Sequence, residues 1–347
     1  MKVLLDLYKI KNPYNGLGQF SIQLLESVMK INSSIDWHGL VPAQNNIILP
    51  NKLIQHRSSI INNLFRFTQD SYSLWHSLQQ QPIHLPNKKT PHLVTIHDLN
   101  FIQTKNYFKQ KKYLFNLQKL INNADEISTI SNYTRKQVEE YCKLGNKKIS
   151  VIYNGVEVNN QVSYHTKYKE YSNYFFSIGE FTAKKNFHFL LDCLPFFEGY
   201  KLVIAGNHNT PYGLYMKNLI HSKSLHHLVE LTGIITTEEK YQLYTNCTAF
   251  LFPSLAEGFG MPIVEALRFG KPVISSNACS LPEIGGNAVM YFDASSIDSA
   301  KNAIESMLIL YNNSNQYSTE MSINRSNEFT WKRASSAYLD IYETYRN

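Results

Sequence analysis

The chain has 347 residues, 43% of them hydrophobic, a length that suits two domains better than one core. Lysine and arginine outnumber aspartate and glutamate by 34 to 27 without forming a long basic block. That balance favours anionic small molecules or an anionic surface, and nucleic acid is not an expected partner. Cys142, Cys193, Cys247 and Cys279 show no short pair spacing, which excludes a disulfide framework or cysteine-based zinc site, and no apolar run approaches the ~20 residues that cross a bilayer.

MKVLLDLYKI carries Asp6 and lacks a small-residue cleavage site, so it reads as a first strand and the protein is expected in the cytoplasm. NPYNGLGQF then sets Gly16 and Gly18 ahead of a helix near 20–31. They read either as a plain turn or as the point where a doubly wound domain approaches a ligand. WHGLVPA is a second strand. Residues 45–89, rich in Asn, Gln and Ser with Phe65, Phe67, Tyr72 and Trp75 among them, read as irregular structure with short helices.

HLVTIHDLNF is a buried strand that ends on His97 and Asp98, at the carboxyl edge where open α/β sheets hold ligands; a core histidine is the competing reading. The next predicted helix, 104–123, carries Lys105, Lys109, Lys111, Lys112 and Lys119 with no acid, among Tyr107, Phe108, Tyr113, Leu114 and Leu117. A solvated lysine face over a core-facing side is the commoner meaning of such a pattern, and contact with an anionic membrane is the other. EISTIS, a capped helix over 131–141 and ISVIYNGVE close the first half, with a linker expected between 157 and 171.

YFFSIGE opens a second sheet, and FTAKKNFHFLL places Lys184 and Lys185 at a helix beginning. Two cations at a helix N-terminus form a clamp for a diphosphate, although paired surface lysines are common. KLVIAGNHN with a helix over 212–224, then LVELTGII with a helix over 237–246, repeat the unit. Strands alternating with helices throughout predict parallel sheets covered on both faces.

The densest stretch is EGFGMPIVEALRFGKPVISSN. Gly258 and Gly260 flank Phe259, and Met261 and Pro262 lead into a helix over 262–269 that Gly270 and Pro272 end. The start of that helix favours an anion. Glu257 and Glu265 bracket it and accept hydrogen bonds from hydroxyls, so a ligand with both phosphate and hydroxyls, such as a sugar nucleotide, satisfies the set. The bland alternative makes Glu265 a dipole complement and the glycines turn residues. A small helix, a last strand, an amphipathic helix over 296–311, a polar loop over 312–316 and a tail helix bearing Trp331, Ala334, Ala337, Tyr338, Ile341 and Tyr345 complete the chain.

GLGQF, IHDLNF, Lys184-Lys185-Asn186 and the step of eight from Glu257 to Glu265 across GFG and proline together resemble the retaining GT-B glycosyltransferases of family 4 and their E-x7-E motif. The resemblance implies an α/β GT-B architecture of two Rossmann-like domains with parallel sheets facing a central cleft. Residues 1–165 would form the acceptor side, 166–329 the nucleotide-sugar side, and 330–347 a helix packing back on the first. It implies transfer of a hexose from a UDP- or GDP-sugar to a glycan or lipid-linked acceptor in bacterial surface polysaccharide synthesis (O-antigen, capsule or lipopolysaccharide).

His97, Lys185 and Glu257 would then be catalytic, with Gly16, Gly18, Asp98, Lys184, Gly233, Gly258, Phe259, Gly260, Met261 and Glu265 binding substrate. No cofactor or metal is expected, because no two aspartates are separated by a single residue. Relatives carry Arg-Lys-Asn at 184–186, and some carry an arginine where Glu180 stands, departures that leave the donor unassigned. A GT-B epimerase or phosphorylase and a non-catalytic partner subunit are the alternatives.

Overall fold

Short runs of Val, Leu, Ile and Phe become strands, and in the computed structural model the pairings that join them are parallel. The structure describes all residues except 14, 33, 45–46, 59–70, 159–167, 169–170, 314 and 347, and describes 312–313 and 315–318 by backbone alone. The chain forms two units, residues 1–155 with 330–347, and residues 156–329.

The first unit holds β1 (Lys2–Asp6), β2 (Asp36–Pro42), β3 (Ile54–Ser58), β4 (Leu74–Ser77), β5 (His92–Ile96), β6 (Glu126–Thr129) and β7 (Lys148–Val151), ordered β3-β2-β1-β4-β5-β6-β7. The second holds β8 (Tyr174–Ile178), β9 (Lys201–Ala205), β10 (Val229–Gly233), β11 (Ala249–Phe252), β12 (Val273–Ser276) and β13 (Met290–Phe292), ordered β10-β9-β8-β11-β12-β13. Each sheet reverses its direction of growth once, between β1 and β4 and between β8 and β11. Connections leave such a reversal on opposite faces, which opens room for a ligand at the carboxyl ends of those strands.

The helices of the first unit are α1 (Gly16–Ile31), α2 (Phe101–Thr104), α3 (Tyr107–Asn123), α4 (Asn132–Tyr141) and, from the chain's end, α12 (Trp331–Glu343). Those of the second are α5 (Phe187–Cys193), α6 (Pro211–Ser222), α7 (Thr237–Asn246), α8 (Met261–Arg268), α9 (Leu281–Gly285), α10 (Ile297–Asn313) and α11 (Asn315–Asn327). Phe20, Leu24, Leu25 and Val28 recur at helical spacing on α1 and bury against Val3 and Leu5 of β1 and Trp331, Tyr338 and Tyr342 of α12. His76, fully buried on β4, is bound on both sides, Nδ1 to Tyr342 Oη at 2.6 Å and Nε2 to Thr95 Oγ1 at 2.8 Å. In the second unit Phe176, Val203 and Phe250 share a cluster with Leu243 and Tyr244 of α7 and Ile263 and Leu267 of α8.

The elements differ from the sequence reading at five places. The stretch 45–89 contains β3 and β4; LWHS on β4 lacks apolar alternation because His76 and Ser77 are buried with polar partners, Ser77 Oγ lying 2.9 Å from His92 Nε2. Phe65 and Phe67 lie outside the described residues. Gly16 and Gly18 form the first turn of α1 instead of a loop before it, because Asn15 caps the helix and accepts from Gly18 N. The helix expected from 104 divides at Lys105 into α2 and α3, since Asn106 caps a new N-terminus by accepting from Lys109 N.

The polar loop expected over 312–316 is mostly helix, α10 running to Asn313 and α11 starting at Asn315. Finally, the chain enters the second unit at Val156, before the boundary expected near 165, because Val156 N donates to Phe329 O (3.0 Å) and ties the start of that unit to its end. Most of the expected linker, 159–167 and 169–170, lies outside the described residues.

Candidate active site

The site in the second unit gathers at the β8/β11 reversal. After β8, Ala183–Lys185 make one 3-10 turn, and Asn186 takes a left-handed conformation (φ 55°) that an asparagine tolerates, so α5 starts at Phe187. After β11, residues 253–260 lead to Gly260, whose φ of 106° is open to glycine and whose added Cβ would stand 2.7 Å from Leu281 Cδ2. Pro262 occupies the first turn of α8.

The two segments are joined by their backbones. Leu255 N donates to Lys184 O at 2.7 Å, and Ser254 Oγ lies 3.2 Å from the same carbonyl. Ser280 Oγ shares its one proton between the carbonyls of Glu257 (3.0 Å) and Phe259 (3.1 Å), which fixes the course of the loop through buried Gly258.

Lys185 Nζ lies 2.5 Å from Glu257 Oε1, and Ser254 Oγ donates to that same oxygen at 2.6 Å. Both charged side chains are only about one-tenth exposed, at 11% and 12%. Burial works to raise the Glu257 pKa, yet Lys185, Lys184 and the two hydrogen bonds outweigh it and hold the carboxyl below its ordinary range. The Lys185 ammonium also sits 4.9 Å from the centre of the Phe252 ring, and Gly179 leaves room for its stem, because a Cβ there would stand 3.1 Å from Lys185 Cε. Lys185 is therefore the buried partner of Glu257, whereas the Lys184 side chain is half-buried and adds to the positive field.

Glu265, on the first turns of α8, makes separate contacts. Lys240 Nζ lies 2.7 Å from Oε1, and Tyr244 Oη donates to Oε2 at 2.9 Å. Met261 opens α8 beside Gly260, and Gly233 ends β10 with φ 78°, its carbonyl accepting from Gly206 N at 2.9 Å and from Thr232 Oγ1 at 3.0 Å.

The remaining expected residues belong to the first unit. His97, directly after β5, is buried with Nε2 2.8 Å from Leu78 O, a pure acceptor, so the proton resides on Nε2. Burial lowers its pKa, with Leu78 and Asp98 acting in the opposite direction. Asp98 Oδ1 accepts from Asn100 N at 3.0 Å. Gly16 is exposed, but Gly18 is a packing residue: its N–H is taken by Asn15, and a Cβ would come within 2.2 Å of Asn12 O. The Gly18 N–H is thus engaged in the helix cap.

Sequence reasoning gave Lys240 and Ser280 no role. Lys240 and Tyr244 are four residues apart on α7 and share one helix face, a spacing that was there to read. What it did not disclose is that this face meets Glu265. Among the described residues no three His, Cys, Asp or Glu side chains converge as a metal site requires.

Two adjoining family models match the chain, Glycosyltransferase Family 4 over residues 28–160 and Glycosyl transferases group 1 over residues 163–322. The chain is 26% identical over 330 residues to the O-antigen chain mannosyltransferase RfbU of Salmonella typhimurium, covering 88% of this chain and 90% of that one. It is 30% identical over 268 residues to the uncharacterized glycosyltransferase MJ1178 of Methanocaldococcus jannaschii, covering 75% and 70%. Among solved structures, sucrose-phosphate synthase from Thermosynechococcus elongatus superposes with a TM-score of 0.79 at 15% identity over 99% of this chain and 98% of that one, which shows a GT-B fold.

Proposed function

We propose, for a chain that belongs to the group 1 and family 4 glycosyltransferases, that it moves a hexose from a UDP- or GDP-sugar to a glycan or lipid-linked acceptor with retention of anomeric configuration. The observation that carries this reading is the convergence of Lys184, Lys185, Glu257 and the α8 N-terminus at one sheet reversal. Likeness to RfbU supports mannose as the sugar and O-antigen assembly as the setting.

The departing diphosphate carries the charge that grows in the transition state. Lys184 and the opening of α8 stabilise it, and charge stabilisation of this kind is the main catalytic contribution expected of such a site. Lys185 orients Glu257, whose Oε2 remains to receive a sugar hydroxyl. Glu265 receives the ribose hydroxyls. His97, with its proton fixed on Nε2, keeps Nδ1 as an acceptor for a neutral hydroxyl. The reading includes no metal, because the lysines provide the countercharge that a divalent ion would supply.

No helix among the described residues is long and apolar enough to cross a membrane. On α3, Phe108 is 82% exposed and Phe115 71%, and Lys109, Lys111, Lys112 and Lys119 are exposed around them, while Leu117, Leu120 and Ile121 face the core. This arrangement supports peripheral contact with an anionic membrane from the cytoplasmic side. Binding to phosphatidylglycerol vesicles that is lost in Phe108→Ser/Phe115→Ser is the expected outcome, and unchanged binding would remove the membrane from the scheme.

The central test supplies UDP-, GDP- and ADP-sugars with a mannose-terminated acceptor and follows nucleotide release, with and without EDTA. One donor class is expected to turn over with EDTA present, the product anomer matching the donor by NMR, and Lys184→Ala is expected to slow it on the order of a hundredfold. Turnover that needs a divalent ion or inverts the anomer would overturn those parts of the reading.

A further inference from the structure

The backbone relation of α7 to α8 is set by a shared apolar cluster, Leu243 and Tyr244 packing with Ile263, Ala266 and Leu267. Above that cluster the Glu265 carboxylate is held at both ends, by Lys240 Nζ at Oε1 (2.7 Å) and Tyr244 Oη at Oε2 (2.9 Å). Tyr244 is fully buried, stacked on Phe269 at 14° and edge-on to Phe176, so its hydroxyl is a fixed point. Lys240 is different: its side chain is 24% exposed, with the ammonium at the boundary between core and solvent. Burial works to lower its pKa, yet Glu265 more than offsets that and raises it, so the ammonium stays charged at neutral pH.

A carboxylate has about four lone-pair sites, of which these two donors use two. The Glu265 side chain is 19% exposed, so the unused lone pairs can reach solvent or a ligand. With the tyrosine alone the carboxylate would turn about one hydrogen bond. With the lysine added, both oxygens are fixed and so is the direction of the free lone pairs.

We infer that Lys240 is a positioning residue of the nucleotide site, which fixes Glu265 so that its remaining lone pairs meet the donor's ribose hydroxyls. This rests on the ribose reading of Glu265 given above. Lys240 makes no contact with the reacting atoms; its effect appears as a preference for ribose over deoxyribose.

The experiment titrates UDP and GDP, and the 2′-deoxy and 3′-deoxy analogues of whichever binds tighter, into wild type, Lys240→Met and Lys240→Arg. Wild type is expected to favour the ribonucleotide over at least one deoxy analogue by about tenfold, the size of a hydrogen bond to a charged acceptor. Lys240→Met should bind the ribonucleotide about tenfold more weakly, with the preference reduced to about twofold or less, and Lys240→Arg should restore most of it. A Lys240→Met protein that keeps the full preference overturns the inference and leaves the Glu265 reading standing. A wild type with no preference for either hydroxyl overturns both. Should the Met variant not fold, Lys240→Ala, which also removes the donor to Glu265, gives the same readout.

Discussion

The carboxyl edges of the two sheets share a topology and differ in electrostatics. At the β8/β11 reversal Glu257 is paired with Lys185 and Glu265 with Lys240. At the β1/β4 reversal the carboxylate is Asp6, the last residue of β1, fully buried, with Oδ1 accepting from Tyr8 N and Oδ2 without a partner. Burial raises the Asp6 pKa to about 6, against the Tyr8 bond and the Lys9 charge, and burial lowers that of His97. Lys185 and Lys184 favour the charged form of Glu257 at one edge, whereas burial shifts Asp6 and His97 towards their neutral forms at the other. A charged diphosphate suits the first, and a neutral hydroxylated acceptor suits the second.

The largest effect should come from removing the buried cation. Lys185→Met leaves Glu257 buried beside only Lys184 and Ser254, and a broken buried pair typically costs about 3–5 kcal/mol, read by urea unfolding at pH 7. Because the Glu257 pKa is lowered on folding, its stabilising share is complete above the ordinary value of 4.5 and fades as pH falls through the folded value. A Lys185→Met protein as stable as wild type would erase the distinction between the edges.

Asp6 should behave with the opposite sign. Its folded pKa is raised from 3.8 to about 6, so ionisation penalises the fold increasingly from about pH 4 and fully above 6. Asp6→Asn is therefore expected to stabilise at pH 8 by up to about 3 kcal/mol, with the advantage gone below pH ~4. A variant that loses stability at pH 8 would show that the charged carboxylate is needed there.

Packing of the first edge is tested by Gly18→Ala, whose Cβ would meet Asn12 O; a loss of about 2 kcal/mol in chemical unfolding is the expected size of such overpacking. The smallest effect is expected from Tyr244→Phe. It removes one of two donors to Glu265 and should cost about 1.5 kcal/mol, and Lys240 should still hold the carboxylate.

Much of this was legible in the sequence because it depends on local spacing. Gly258, Gly260 and Pro262 can only turn the chain and start a helix, and Thr236, Ser131 and Thr330 cap the helices that follow them. The eight-residue step from Glu257 to Glu265 and the repeated alternation of strand and helix are likewise properties of the order of residues. β4 was not legible, since the buried His76 depends on Tyr342, 266 residues away, to make a polar strand acceptable in a core.

The sequence by itself thus determined the α/β architecture, the glycine-proline loop and the carboxylates around it, because backbone preference and periodicity act over a few residues. Only the tertiary structure decided that Lys185 faces Glu257 instead of standing free, that Lys240 and Tyr244 hold Glu265, and that Asp6 is buried with Oδ2 left without a hydrogen-bond partner. Those outcomes depend on which side chains, distant along the chain, are brought within 3 Å in a medium that screens charge weakly, and no local pattern encodes that.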